Sequence, residues 1–166
     1  MIWLKSNHEI GLMREAGKIT EETLNLLAKS IRPGMKTIEL DRIAEEFNCS
    51  KGAVPSFKNY RGYPKSICAS VNSVVVHGIP GNETINEGDI ISIDVGAYYK
   101  GFHGDAARTF AVGSVSEEAA KLIKVTEECF FEGFKFAVAG NRLGDISSAI
   151  QKHAEQNGYG VVREMV

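Results

Sequence analysis

Ile10, Met13, Gly17, Thr20, Leu24, Leu27 and Ile31 recur at the spacing of one helical face, and Ser6 with Glu9 three residues on forms a capping-box signature before them. The pattern predicts a long first helix running to about Ser30. Arg32-Pro33-Gly34 breaks it, because proline removes a backbone donor and glycine frees the turn. Thr37 then caps a second helix with Leu40, Ile43, Ala44 and Phe47 as its buried stripe, ending near Asn48. Residues 51–64 lose all period and carry Phe57, Tyr60 and Tyr63, either as stray aromatics on a surface loop or as the wall of an apolar pocket. Residues 66–71 and 74–76 read as short buried strands around Asn72-Ser73, followed by the Gly- and Pro-rich turn at His77.

Alternation returns at Ile90, where Ile91, Ile93 and Val95 take one face and Ser92, Asp94 and Gly96 the other, and a second extended run holds His103, Asp105 and Thr109. With Lys100-Gly101 as a two-residue turn, Tyr99 faces Phe102 and Asp105 faces Gly96. Asp94 and Asp105 then share a face as diagonal neighbours, roughly 7–8 Å apart. Two aspartates on one covered face need an explanation, since each is costly to bury unpaired. Three stand open: oxygen-ligated metal ions, a proton-sharing dyad, or pairing with a basic residue. His77 is either an ordinary hydrogen-bonded histidine or a side chain pointing into a cleft.

Past Val112 the period is helical again. Ser114 or Ser116 caps a third helix with Ala120, Ile123, Phe130, Phe134 and Val138 on one side, an aromatic stripe most simply read as core. Ala139-Gly140-Asn141 ends it, and Leu143, Ile146, Ala149, Ile150 and Ala154 mark a fourth helix closed by Asn157-Gly158, with His153 at its boundary. Residues 159–166 begin as a strand. A shift of 106 positions lays the second helix pair on the first, Gly34 on Gly140, Glu39 on Asp145, Leu40 on Ile146 and Ala44 on Ile150. The expected organisation is one domain of two half-repeats, 1–112 and 113–166, with the second incomplete and the chain truncated.

Composition narrows the classes. At 166 residues there is room for one cored domain, and a net charge of −2 with scattered Lys and Arg gives no basic stripe for nucleic acid or an anionic membrane. Three cysteines, without CxxC spacing, fit a reducing compartment, so a cytoplasmic location is expected. The start shows no charged leader, and no window reaches membrane-spanning length.

Four motifs carry a resemblance: residues 65–72 (KSICASVN), Val76-His77-Gly78-Ile79-Pro80, Ile93-Asp94-Val95-Gly96 and Gly101-Phe102-His103-Gly104-Asp105. In this order, with eleven positions from Asp94 to Asp105, the chain resembles the bacterial-type (type I) methionine aminopeptidases along its whole length. The resemblance implies an α/β (α+β) pita-bread fold, of the creatinase/aminopeptidase kind, with an antiparallel sheet covered by helices. It also implies two divalent metal ions, of Mn, Fe, Co or Zn, held by two aspartates, a histidine and two glutamates, with a bridging hydroxide as nucleophile. Asp94 and Asp105 match the aspartates, and the other three ligands fall beyond Val166. Carboxylate-rich ligation suits manganese or iron(II).

By the same resemblance His77 contacts substrate near the scissile amide, and Cys68, Tyr60 and Tyr63 surround the pocket for the methionine side chain. Phe57 takes a position where the family often has cysteine, and His103 is expected to be structural. The implied function is removal of N-terminal methionine from nascent proteins, with nascent polypeptides as substrate, the ribosome as a further contact, no nucleic acid and no membrane. With two carboxylates alone the chain is expected to hold metal weakly and cleave little peptide. A complete protein would be a monomer. The alternatives are a catalytically dead polypeptide-binding module of the same fold, and an assembly in which two copies cover each other's open sheet edges.

Overall fold

The computed structural model describes residues 3–163, and the chain divides into two compact units, Met1–Val115 and Ser116–Val166. The first opens with α1 (Asn7–Ser30), whose start is sealed as the sequence predicts: the Ser6 hydroxyl accepts from Glu9 N and the Ser6 N–H donates to the Glu9 carboxylate. Next come α2 (Thr37–Ser50), a two-residue β1 (Val54–Pro55), a 3-10 turn at Tyr60–Gly62, β2 (Ile67–Val71), β3 (Ile90–Tyr99) and β4 (Phe102–Ala111). Lys36, not Thr37, is the residue before α2, and its N–H donates to Glu39 Oε2 at 2.8 Å. The Thr37 hydroxyl instead accepts from Gly81 N at 2.9 Å and ties the start of the helix to a later loop.

All strand pairings are antiparallel, with β3 central: β1 and β2 share one of its edges and β4 takes the whole of the other. The β3–β4 register is the one the turn dictates, Tyr99 opposite Phe102 and Gly96 opposite Asp105, around Lys100 and Gly101 at φ +46° and +95°. Ile91, Ile93 and Val95 point into a core completed by Leu24, Leu27, Leu40, Ile67 and Ile85. That face is dry, so polar chemistry is confined to the face carrying Asp94.

The second unit is a pair, α3 (Glu117–Phe134) and α4 (Leu143–Gln156). Its copy relation to α1 and α2 is closer in backbone than in side chain. The bounds of α4 are those of α2 plus 106, Gly34 and Gly140 turn at φ +86° and +96°, and the Arg142 N–H donates to Asp145 as Lys36 does to Glu39. Even the exits agree: Ala53 N donates to Asn48 O, and Tyr159 N to Ala154 O, both at 3.0 Å.

Four expectations are corrected. Residues 74–76 are not a strand, and Val74, Val75 and Val76 are exposed. Asn72, at φ +50°, turns the chain away and spends its side chain on Asp89 and Ile90 N; Val74 N still donates to Val71 O across the turn, and Gly78 comes back alongside β2 through Ala69 N and the Ser70 hydroxyl. The aromatic stripe of α3 is not core. Val125, Cys129 and Gly133 face α4, where Gly133 admits Ile146 and Ile150, while Phe130, Phe131 and Phe134 are exposed. Helix α3 also stops at Phe134, short of Ala139. Residues 159–163 form no strand, and 164–166 lie outside the described residues.

Candidate functional site

Asp94 lies opposite Ala107 on β4 and Cys68 on β2, while Asp105 lies opposite Gly96. Directly paired residues point to one face, so Cys68, Asp94 and Asp105 share the polar side of the sheet with the two carboxylates diagonal to each other. Asp94 is half-buried, and its Oδ1 is fully shielded from solvent without a hydrogen-bond partner. Burial, then the neighbouring charge of Asp105, pushes its pKa up to about 6, against a smaller opposing pull from His77. Burial also raises Asp105, with His103 opposing. Among the described residues no Lys or Arg forms an ion pair with Asp94 or Asp105.

The loop before β2 covers this face at one point. A Cβ at Gly96 would stand 2.6 Å from Ser56 Cβ and 2.8 Å from Phe57 Cε1, so glycine is what lets Phe57 sit over the strand beside the carboxylates. Ser56 N donates to Gly96 O, and its hydroxyl lies 2.8 Å from His103 Nδ1. The His103 ring also rests 4.7 Å from that of Tyr98. The Tyr63 hydroxyl divides its proton between Ile67 O at 3.0 Å and Gly78 O at 3.1 Å, clasping β2 to the segment that bears His77. Burial pushes the Tyr63 hydroxyl and the Cys68 thiol up, keeping both neutral at ordinary pH.

His77 is exposed at φ +59°, a conformation a histidine adopts only when its surroundings insist. Here the bonds of Gly78 to Ala69 and Ser70 supply that insistence. Tyr60 is turned outward, 61 % exposed, with the Arg61 guanidinium over its ring. The structure therefore gathers Asp94, Asp105, Cys68, Phe57, Tyr63 and His77 around β2 and β3, and leaves Tyr60 at the solvent side. Within the second unit a cavity of about 280 Å³ is lined by Glu132, Asp145 and His153.

Ser56, Gly96 and the α2 acids were not singled out by sequence reasoning. Asp41 Oδ1 accepts from Ser66 N at 2.8 Å and Ile67 N at 3.2 Å, and Glu45 accepts from the Ser66 hydroxyl, so helix α2 sets where β2 begins. A glycine inside a strand was a legible sign of close approach at Gly96; Ser56 gave none.

An orphaned buried carboxylate oxygen with a second carboxylate on the same face suits an oxygen-seeking divalent cation. Among the described residues, however, no three His, Cys, Asp or Glu side chains come together as a cation cage. Comparison with known proteins bears on this donor set. The profile of metallopeptidase family M24 matches residues 11–166. The chain belongs to that family, one of metal-dependent peptidases.

Within it the likeness is to bacterial methionine aminopeptidases. The enzyme of Clostridium perfringens is 58 % identical over all of this chain, which spans 67 % of that protein, and that of Bacillus subtilis is 51 % identical over the same share. The crystal structure of methionine aminopeptidase from Thermotoga maritima superposes with a TM-score of 0.97 at 40 % identity, over 100 % of this chain and 67 % of that one. The architecture is thus the family's pita-bread α/β fold, and the protein is of the aminopeptidase kind.

Proposed function

We propose that this chain carries the first part of a methionine aminopeptidase centre that removes N-terminal methionine from nascent proteins. The carrying observation is the shielded, unpartnered Oδ1 of Asp94 diagonal to Asp105. In this reading Asp94 and Asp105 are the residues that would hold divalent metal ions. Such ions, when bound, polarise the scissile carbonyl and activate water. His77, held by the Gly78 clasp, hydrogen-bonds substrate near the scissile amide. Cys68, Phe57 and Tyr63, neutral and apolar, receive the methionine side chain and exclude water, with Tyr60 closing over substrate from outside.

The two carboxylates are too few donors for tight cation binding, so the chain by itself holds Mn, Fe(II), Co or Zn weakly and hydrolyses little peptide. Nascent chains in the cytoplasm, met at the ribosome, are the substrates of this reading. In the described residues no helix is long and apolar enough to cross a membrane. A polypeptide-binding role without catalysis is the alternative. Isothermal titration with Mn²⁺ and a methionyl-peptide assay decide the matter, run with and without the separately expressed part of the Clostridium perfringens enzyme that this chain does not span. Weak binding and no hydrolysis alone, and hydrolysis on mixing that Asp94→Asn abolishes, are the expected results. Tight Mn²⁺ binding or turnover by the chain alone overturns the first expectation, and no gain on mixing favours the binding role.

A further inference from the structure

Residues 56–66, between β1 and β2, carry Phe57 onto Gly96 and bring the Tyr63 hydroxyl beside the Cys68 thiol. The middle of this loop closes on itself: Tyr60 N donates to Phe57 O, Asn59 N to Tyr63 O and Tyr63 N to Tyr60 O. It turns through three left-handed residues, Asn59, Arg61 and Gly62, at φ +68°, +49° and +86°. Two of these have a side chain, so the conformation is held against a local cost. Glu45 on α2 grips both ends of the loop, one oxygen accepting from Lys58 Nζ and the other from the Ser66 hydroxyl at 2.9 Å. Asp41, one turn earlier, fixes only the end at Ser66 and Ile67. Among the described residues no other side chain bonds both ends.

We propose that Glu45 is a positioning residue for the site: its two oxygens brace the aromatic loop, so that Phe57 and Tyr63 keep their places over the face that carries Cys68, Asp94 and Asp105. The self-closed turn moves as one piece, and releasing either grip lets it swing away from β2. The brace thereby sets the shape of the wall that a methionine side chain meets. What the wall encloses rests on the function proposed above; the brace itself involves neither metal nor substrate.

The buried thiol of Cys68 reports the brace, because its alkylation waits for the loop to open and scales with the open fraction. The test uses the 166-residue chain with Cys49→Ser removing the exposed thiol, labelled with iodoacetamide and read by peptide mass. Glu45→Ala is expected to speed labelling of Cys68 about 3–10-fold, with the buried Cys129 of the second unit unchanged. Lys58→Met is expected to give a smaller rise, and none beyond that of Glu45→Ala when the two are combined, since both delete the same bond. Glu45→Gln, which keeps an acceptor for Ser66, is expected to fall between parent and Glu45→Ala. Low urea separates local release from unfolding: opening one loop exposes little surface, so the rate should climb only shallowly. If Glu45→Ala does not fold, Lys58→Met, altered at an exposed side chain, carries the test. A Cys68 rate within about twofold of the parent in these variants overturns the proposal. So does a rise as steep in urea as global unfolding, or additive effects of the two substitutions. If no mixture with the Clostridium perfringens part hydrolyses peptide, the proposed function fails while these rates still decide the role of Glu45.

Discussion

Asp94 shows how one residue can be ill-suited to its own fold. Its value near 6 lies above the ordinary carboxylate value of 3.8, so the metal-free fold favours the protonated form. The contribution to stability is complete below about pH 4 and is lost as pH rises through about 6. Asp94→Asn should therefore be more stable than the parent at pH 7 and no more stable at pH 4. Urea midpoints of the two proteins across that range check it. Taking the difference removes the contribution of Glu9, Glu22 and Glu45, which are held low by their partners and act in the opposite sense. A gain in stability from losing a charge is what a residue kept for a ligand should show.

At the scale of elements, α2 acts as the jig for β2. Asp41 is buried and takes two N–H groups at the strand's first turn, so Asp41→Ala orphans both. A loss of about 2–4 kcal/mol is expected, read by thermal unfolding, together with faster amide exchange at Ser66 and Ile67. The strand signal at residues 66–71 was legible from its β-branched and small residues; the anchor was not, because an aspartate on a helix looks like any solvated charge. The valines at 74–76 mislead for the complementary reason. Their strand propensity is real, but Asn72 turns the chain before a ladder can form.

At the scale of the molecule, the exposed Phe130, Phe131 and Phe134 make an apolar stripe larger than a lone surface aromatic. Replacing Phe130 and Phe134 with Gln should lower binding of an apolar fluorescent dye while changing stability by no more than about 0.5 kcal/mol. A large fall in the melting temperature would mean that the stripe is packed after all. Hydrophobic period predicted α3 correctly and its buried side wrongly, because two apolar faces at helical spacing look alike until a neighbour covers one.

Local rules acting within a few residues settled the capped start of α1, the two-residue turn and hence the register that puts Asp94 and Asp105 on one face, and the backbone repeat at 106. What needed the third dimension was which faces are covered and who stands beside whom. Ser56 reaches His103 across 47 positions and Tyr63 clasps Gly78 to β2. Phe57 rests on Gly96, and the orphaned oxygen of Asp94 emerges from packing around it. Sequence specifies torsions and periods, which are local; desolvation and contact depend on the summed placement of distant segments, and only the folded chain supplies that.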